Sequence, residues 1–329
     1  MILQNLIPET YFNKLQSAIL HGDFNWHWKS ENIVRNAPDG ELFQLTHRLV
    51  TDNQIQSKYA ELINPVLFFL RKKTNIKIKN VLRIKVNLIP RIVQKDEWLE
   101  NIIHQDNEKD NHLSMILYIN SSDGDTAIFE NDKTTIKQTS NPIANNAILF
   151  KSNLWHRASP PKENKRRVII NFIFEVESDD IQLKDYDYET ESKLSDFLKS
   201  IGTKDLPHKN GQLYDHLMRT YFLAQDMFDN KDISLIAGLH SAYGTTVYKN
   251  KCLDVDSQIL KKTFGEKIDK YVRMFGTMNR QLLETPDKSI NKEDLNILRF
   301  VEIANLLDQE ALNKRPNLIK FMEQNKNKV

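Results

Sequence analysis

Residues 113–129, LSMILYINSSDGDTAIF, hold the pattern on which the fold of the N-terminal half depends. Two apolar runs, Leu113–Ile119 and Thr126–Phe129, have the length and composition of short β-strands. Between them, Ser122-Asp123-Gly124-Asp125 is a turn signal, because glycine and short polar side chains favour tight turns. The stretch therefore predicts an antiparallel strand–turn–strand unit.

Short strands and turns continue on both sides of this stretch. Further strand-like runs are residues 41–50, Val81–Leu88, Ala147–Phe150 and Val168–Val176, with another turn signal at Asn141-Pro142. Because no helical pattern separates the later runs, they favour an antiparallel sandwich over a parallel sheet. Apolar residues at helical spacing predict flanking helices at Glu9–Leu20 and 54–72. We expect an α+β fold built on a jelly roll, the sandwich with a ligand-sized mouth.

A second, helical part follows an acidic segment. Eight acidic residues and one lysine fall between Glu175 and Ser192, a composition typical of a solvated linker. Helical windows follow near residues 193–201, 211–229, 231–241, 256–280 and 291–306, which together predict an all-α bundle. The expected chain is therefore multidomain, with domains at residues 1–176 and 193–329 and an acidic linker at residues 177–192.

Size, charge and cysteine content narrow the class of protein. A length of 329 residues with 40% hydrophobic and 27% charged residues is typical of a soluble multidomain protein. The net charge of +2 gives no overall field for nucleic acid or membranes. One cysteine excludes a disulfide framework, and no apolar run approaches the roughly 20 residues of a membrane span. We expect a cytoplasmic protein that acts on a small-molecule or peptide substrate.

Two histidines and an aspartate have the spacing of a metal site. His104 and Asp106 are two residues apart, so both side chains point to the same face of an extended chain. His156 follows a strand-like run and could reach the same metal from a facing strand. Two imidazoles and one carboxylate form the facial triad that holds non-haem Fe(II) and leaves positions open. Arg166-Arg167 lies ten residues further on, and arginine can bind a dicarboxylate through two parallel hydrogen bonds.

In their order, these pieces resemble the 2-oxoglutarate/Fe(II)-dependent dioxygenase superfamily, particularly its prolyl-hydroxylase-like and phage-type branches. The matching pieces, within roughly residues 1–176, are Trp26–Trp28, Phe43–His47, His104–Asn107, Met115–Asn120, Gly124–Phe129, Ala147–Phe150, Trp155-His156 and Arg167–Phe174. The resemblance implies a double-stranded β-helix whose iron is held by His104, Asp106 and His156. It also implies 2-oxoglutarate and O2 as co-substrates, with succinate and CO2 formed as a substrate C–H bond is hydroxylated.

The same resemblance suggests which residues hold 2-oxoglutarate. A basic residue on the last core strand binds its distal carboxylate, and two arginines compete for that role. The third, fifth and seventh positions after Arg167 are more apolar than those after Arg166, as the family pattern requires, so Arg167 is preferred. Tyr118 matches a tyrosine that often shares this carboxylate, although a strand aromatic in the core is an equal alternative. Asn87 and Asn171 are candidates for the pocket wall.

The helical part contains a second histidine cluster: His208, His216 and His240. With Tyr243-Gly244-Thr245, it resembles a diverged HD-type phosphohydrolase domain over roughly residues 195–315. Active members carry aspartate where this chain has Ser241 and, as the last ligand, where it has Asn279. The resemblance therefore implies the HD-like fold but not its activity. The cluster could bind a metal or a phosphate-bearing ligand, or form a buried polar network.

Three functions from different classes follow. The first is an oxygenase whose helical domain binds substrate or forms a homodimer. The second is a metal-dependent phosphohydrolase centred on the helical domain, and the third is a non-enzymatic small-molecule sensor. The complete set of iron ligands argues against the sensor, and Ser241 and Asn279 argue against the hydrolase.

Overall fold

The computed structural model describes residues 1–29, 43–91, 103–184, 186–209, 211–286 and 289–325. The chain divides into two compact units, Met1–Tyr186 and Asp187–Val329, so the boundary falls within the acidic segment. In the described part, no helix has both the length and the apolar character needed to cross a membrane.

The first unit consists of two antiparallel sheets and two helices. Its strands are β1 (Ile2–Leu3), β2 (His27–Lys29), β3 (Gln44–Thr51), β4 (Gln54–Ile55), β5 (Ile78–Pro90), β6 (His112–Tyr118), β7 (Thr126–Phe129), β8 (Ile136–Ser140), β9 (Ala147–Lys151), β10 (His156–Ala158) and β11 (Arg166–Val176). The large sheet has the order β1-β9-β6-β11-β5-β3-β2, with β4 paired to β3, and the small sheet has the order β10-β7-β8. Helices α1 (Glu9–Leu20) and α2 (Asn64–Lys73) accompany the sheets. The expectation of antiparallel sheets with flanking helices is confirmed.

An apolar cluster joins the two sheets. Ile128 of the small sheet belongs to the same buried cluster as Ile116, Tyr118 and Ile169 of the large sheet. These residues alternate along their strands, since successive side chains point to opposite faces. Burying apolar surface stabilises the folded state by about 25 cal/mol per Å². Because only one face of each strand carries these apolar side chains, their burial determines which face turns inward.

The segment 54–72, expected as one helix, is divided. Gln54–Ile55 is a strand, Lys58–Ile63 is a 3₁₀ helix, and α2 begins only at Asn64. Ser57 caps the 3₁₀ helix by accepting a hydrogen bond from the Tyr59 N–H. Pro65 then lies in the first turn of α2, where its missing N–H costs nothing. The strand expected at residues 41–50 corresponds to β3. Residues 41 and 42 of the expected range lie outside the described part.

The second unit is helical. Its helices are α3 (Tyr188–Ser200), α4 (Leu213–Phe228), α5 (Lys231–Leu239), α6 (Ile259–Phe264), α7 (Glu266–Thr277), α8 (Gln281–Glu284), α9 (Lys292–Asp308) and α10 (Pro316–Asn325), with a short hairpin of β12 (Pro207–His208) and β13 (Gly211–Gln212). The window 256–280 is split at Gly265, whose φ of +93° ends one helix and begins another. The linker expected at 177–192 also differs, because α3 begins at Tyr188 with Asp187 as its N-cap.

A buried ion pair connects α4 and α9. Asp308, at the end of α9, accepts hydrogen bonds from Arg219 Nε at 2.5 Å and Nη2 at 3.0 Å, and its Oδ2 lies 2.7 Å from His216 Nδ1. A carboxylate is disfavoured at a helix C-terminus, so these partners must offset both the helix dipole and desolvation. Burial raises the pKa of Asp308, but hydrogen bonds from His216 and Arg219 outweigh it and lower the pKa to about 2.

We predict that Asp308→Asn destabilises the helical unit by about 3–5 kcal/mol at pH 7, because the buried Arg219 would lose its charged hydrogen bonds to Asp308. The depressed pKa means that the contribution of Asp308 is complete above the unfolded-state pKa near 4 and is lost as the pH falls towards 2. Urea unfolding of the full chain, followed by circular dichroism, should therefore show a smaller difference at pH 3. Asp196→Asn is the control, since that carboxylate is 72% exposed and should change stability by less than about 0.5 kcal/mol. An equal effect of the two variants would contradict the prediction.

Candidate active site

His104, Asp106 and His156 meet at the junction of the two sheets. Each offers a ligand atom, and these three atoms all lie within 4.8 Å of one another. The backbones of His104 and His156 exchange two hydrogen bonds of 3.0 and 2.9 Å, and Asp106 N–H donates to Ser152 O at 3.0 Å. These bonds hold the segment extended, so the two-residue spacing places His104 and Asp106 on one face. The three groups form the donor set of a facial triad.

The Asp106 carboxylate is buried and surrounded by hydrogen-bond donors. Arg83 Nη2 donates to Oδ1 at 2.8 Å, while the Ser114 hydroxyl at 2.8 Å and Asn171 Nδ2 at 3.3 Å donate to Oδ2. Burial raises the pKa of this group, but the charges of His156 and Arg83, with the Ser114 hydrogen bond, lower it to about 2. Asp106 is therefore an anion at neutral pH, as a metal ligand must be.

His156 has the protonation state of a metal ligand. Its Nδ1 lies 2.9 Å from the Leu154 carbonyl, which can only accept a hydrogen bond, so Nδ1 carries the proton. The Nε2 atom is then unprotonated and lies 3.6 Å from Asp106 Oδ2. Burial lowers the pKa of His156 to about 4 despite the opposing charge of Asp106, which keeps the imidazole neutral at neutral pH. A backbone carbonyl that fixes the tautomer in this way is common behind metal-bound histidines.

The two adjacent arginines have opposite environments. Arg167 is 1% exposed, with Nε donating to Gly124 O at 2.9 Å and Nη2 donating to Thr126 Oγ1 at 2.7 Å. Arg166 is exposed, because neighbouring residues of β11 point to opposite faces. Arg167 lines the same pocket as the triad. Its positive charge therefore lies in the pocket wall, where it could pair with an anion bound beside the triad.

Tyr118 lies close to Arg167, but its hydroxyl forms hydrogen bonds with other residues. Its ring centroid is 5.7 Å from the Arg167 guanidinium carbon. Its hydroxyl is 2.9 Å from Thr126 Oγ1 and 3.2 Å from the Ser140 carbonyl. Tyr118 is fully buried in the cluster between the sheets. It therefore supports Thr126, which in turn accepts a hydrogen bond from Arg167.

Both asparagines expected at the pocket line it. Asn171 joins Arg83 and Asp106, accepting from Arg83 Nη2 at 3.4 Å. The Asn87 Oδ1 atom is buried without a hydrogen-bond partner, a state that buried polar atoms rarely keep without a ligand or water. The pocket lining therefore offers an acceptor oxygen that no protein donor occupies.

Arg83 and Ser114 were missed by sequence reasoning. Arg83, Asn87 and the half-buried Lys85 all line the pocket from β5. Their spacing of two residues is the signal that could have placed Arg83 and Lys85 on the inner face once Asn87 was a candidate. Nothing in the sequence indicates that Ser114 donates to Asp106.

The second histidine cluster assembles in the helical unit. The His208 and His216 rings stack at 4.0 Å with an angle of 11°, and His216 Nε2 lies 3.4 Å from His240 Nε2. Among the described residues, however, only His104, Asp106 and His156 bring three ligand atoms within 4.8 Å of one another. Burial lowers the pKa of His208 to about 4 and lowers the pKa of His240 well below its ordinary value.

The carboxylate beside this cluster is Asp308, which sequence reasoning did not identify. It contacts His216 across 92 residues of chain. Asn279, which the resemblance places at the position of the last carboxylate ligand, is exposed, and its Oδ1 accepts a hydrogen bond from Gln281 N–H at the start of α8. Ser241 is buried. The geometry is that of a buried polar network between helices.

Comparison with known proteins gives two family matches. Residues 96–175 match the 2OG-Fe(II) oxygenase superfamily, and residues 197–280 match a domain of unknown function, DUF6817. The HD-like assignment of the helical unit receives no such match. No curated protein matches the chain.

Similar solved structures include a prolyl-4-hydroxylase from Pseudomonas putida, 14% identical over 53% of this chain and 91% of that one, with a TM-score of 0.36. HygX from Streptomyces hygroscopicus, determined with nickel and 2-oxoglutarate bound, is 9% identical over 53% of this chain and 82% of that one, with a TM-score of 0.37. The match over residues 96–175 encloses the whole triad and Arg167. The chain thus contains a 2OG-Fe(II) oxygenase superfamily domain, whose cofactors are ferrous iron and 2-oxoglutarate.

Proposed function

We propose that the first unit is an Fe(II)/2-oxoglutarate-dependent oxygenase that hydroxylates a C–H bond of its substrate. One observation carries the proposal: three ligand atoms within 4.8 Å of one another share a pocket with a buried arginine. The sequence match over residues 96–175 supports the same chemistry.

The triad residues fit ferrous iron. His104 and His156 would bind through imidazole nitrogens and Asp106 through a carboxylate oxygen, a donor set that suits non-haem iron. Bound iron, with 2-oxoglutarate and O2, supplies the oxidising power for hydroxylation. The protein contributes an ionised Asp106 and a neutral His156, so neither ligand has to lose a proton when the metal binds at neutral pH.

Arg167 would hold the distal carboxylate of 2-oxoglutarate. Its Nε and one Nη2 hydrogen are bonded to Gly124 and Thr126, which orient the guanidinium. Guanidinium has five N–H groups, so donors remain for a carboxylate. Gly124 is required at this point, because a Cβ there would come within 2.3 Å of the Ser159 carbonyl oxygen.

We predict that His104→Ala and Asp106→Ala each reduce Fe(II)-dependent succinate formation from 2-oxoglutarate by more than about 100-fold, since removing a ligand costs at least as much as removing its supporting partners. The assay measures succinate with and without added Fe(II), together with iron content. Asp110→Ala is the matched control, an exposed carboxylate four residues along that should leave turnover unchanged. Iron-loaded wild-type protein that neither binds nor consumes 2-oxoglutarate would disprove the proposed function.

Exchanging either arginine for alanine separates their roles. Arg167→Ala should raise the KM for 2-oxoglutarate by about 10–100-fold, because a charge-assisted hydrogen bond contributes about 1.5–3 kcal/mol. Arg166→Ala should change this KM by less than about twofold, since its side chain is exposed. Arg167→Lys and thermal unfolding of each variant distinguish a lost carboxylate contact from a lost fold. A larger effect at Arg166 would assign the role to that residue instead.

A further inference from the structure

Side chains from three neighbouring strands use most of the hydrogen-bonding capacity of the Asp106 carboxylate. An ionised carboxylate has about four lone-pair sites on its two oxygens. The Ser114 hydroxyl and Asn171 Nδ2 donate to Oδ2 at 2.8 and 3.3 Å, and Arg83 Nη2 donates to Oδ1 at 2.8 Å. With three donors in place, about one lone-pair site is left for a metal ion.

Arg83 acts on both oxygens of this carboxylate. Besides its bond to Asp106 Oδ1, the Nη2 atom donates to Asn171 Oδ1 at 3.4 Å. A carboxamide has one accepting end and one donating end, whereas a guanidinium can only donate. The accepting end of Asn171 therefore faces Arg83, and its donating Nδ2 faces Asp106 Oδ2. Arg83 thus holds one carboxylate oxygen directly and the other through Asn171.

The backbone that carries Arg83 is held on both sides. Strand β5 lies between β3 and β11 in the large sheet, and Arg83 is paired with Thr51 on one side and with Ile173 on the other. From this fixed position the side chain reaches Asp106, which lies 23 residues further along the chain. The Arg83 Nε atom is buried without a hydrogen-bond partner, a cost that folds retain mainly at functional sites.

We propose that Arg83 is a positioning residue that restricts Asp106 to binding the metal through one carboxylate oxygen. The inference rests on the proposed function, in which Asp106 is one of the three protein ligands of the metal. A facial triad leaves positions open for co-substrates when each of its residues supplies a single ligand atom. A carboxylate that bound through both oxygens would take one of these positions and compete with 2-oxoglutarate. Arg83 acts through Asp106 and not on the metal itself.

Metal binding without turnover tests this role. Full-length protein is titrated under nitrogen with Co(II), which accepts the same nitrogen and oxygen ligands as Fe(II) and whose visible absorption depends on the number and arrangement of its ligand atoms. At saturating Co(II), the absorption of Arg83→Met should differ from that of the wild type, because both oxygens of Asp106 can then bind. The affinity of this Co(II) form for 2-oxoglutarate should fall by about tenfold or more, as is usual when a group that orients a metal ligand is removed.

Two further variants separate positioning from charge. Arg83→Lys keeps a donor for the Asp106 carboxylate, so its Co(II) absorption should remain close to that of the wild type. Arg48→Met removes an exposed arginine of the neighbouring strand β3 and should change neither the absorption nor the affinity for 2-oxoglutarate. Thermal unfolding of each variant shows that the comparison is made between folded proteins.

Each remaining outcome contradicts a defined part of the reasoning. If Arg83→Met had the absorption of the wild type, or no longer bound Co(II) at all, Arg83 would not limit how Asp106 binds, and the proposal would be overturned. A wild type that failed to bind Co(II) would contradict the metal site and the proposed function with it. Succinate formation by the Fe(II)-loaded wild type tests that function separately, because none of these measurements depends on turnover.

Discussion

The buried carboxylate of Asp106 is the constraint on which the oxygenase unit depends. Its side chain is 4% exposed, and leaving such an anion unpaired costs several kcal/mol. Three neighbouring strands each supply one donor: Arg83 from β5, Ser114 from β6 and Asn171 from β11. A one-residue shift in the register of any of these strands would turn its donor to the opposite face. The pairing of the strands in the sheet and the ionisation of Asp106 therefore depend on each other.

The alternation of side chains along β11 also determines which of the two adjacent arginines lies in the pocket. Arg167 shares the inner face of β11 with Asn171, four residues along, while Arg166 points outward. Burying Arg167 requires hydrogen-bond acceptors, and these are the Gly124 carbonyl in the turn after β6 and the Thr126 hydroxyl at the start of β7. The strand–turn–strand stretch at residues 113–129 thus supplies apolar side chains to the core and the hydrogen-bond acceptors that hold Arg167 in the pocket.

Local patterns were predictable from the sequence, and cross-strand relations were not. Helix α1 has the bounds that apolar spacing predicts, and the two-residue step from His104 to Asp106 needs only an extended chain. The contact between Arg83 and Asp106 depends on the register of β5, and that between His216 and Asp308 depends on helix packing across 92 residues. Neither the register between strands nor the packing between helices produces a local pattern in the sequence. The break before α2 does leave a local pattern, because Pro65 marks the first turn of a helix within an otherwise continuous apolar periodicity.

Two buried carboxylates show how a binding site differs from a structural network. Asp308 contacts Arg219 through both oxygens and His216 through one of them, and in the described part no buried side-chain atom of this group lacks a partner. Around Asp106, by contrast, Arg83 Nε and Asn87 Oδ1 are buried without hydrogen-bond partners, on two residues that line the pocket. Unsatisfied polar atoms cost free energy that a fold tolerates where a ligand supplies the missing bonds. Two such atoms of the described residues therefore lie beside the triad, whereas none belongs to Asp308 or to the three histidines of the second cluster.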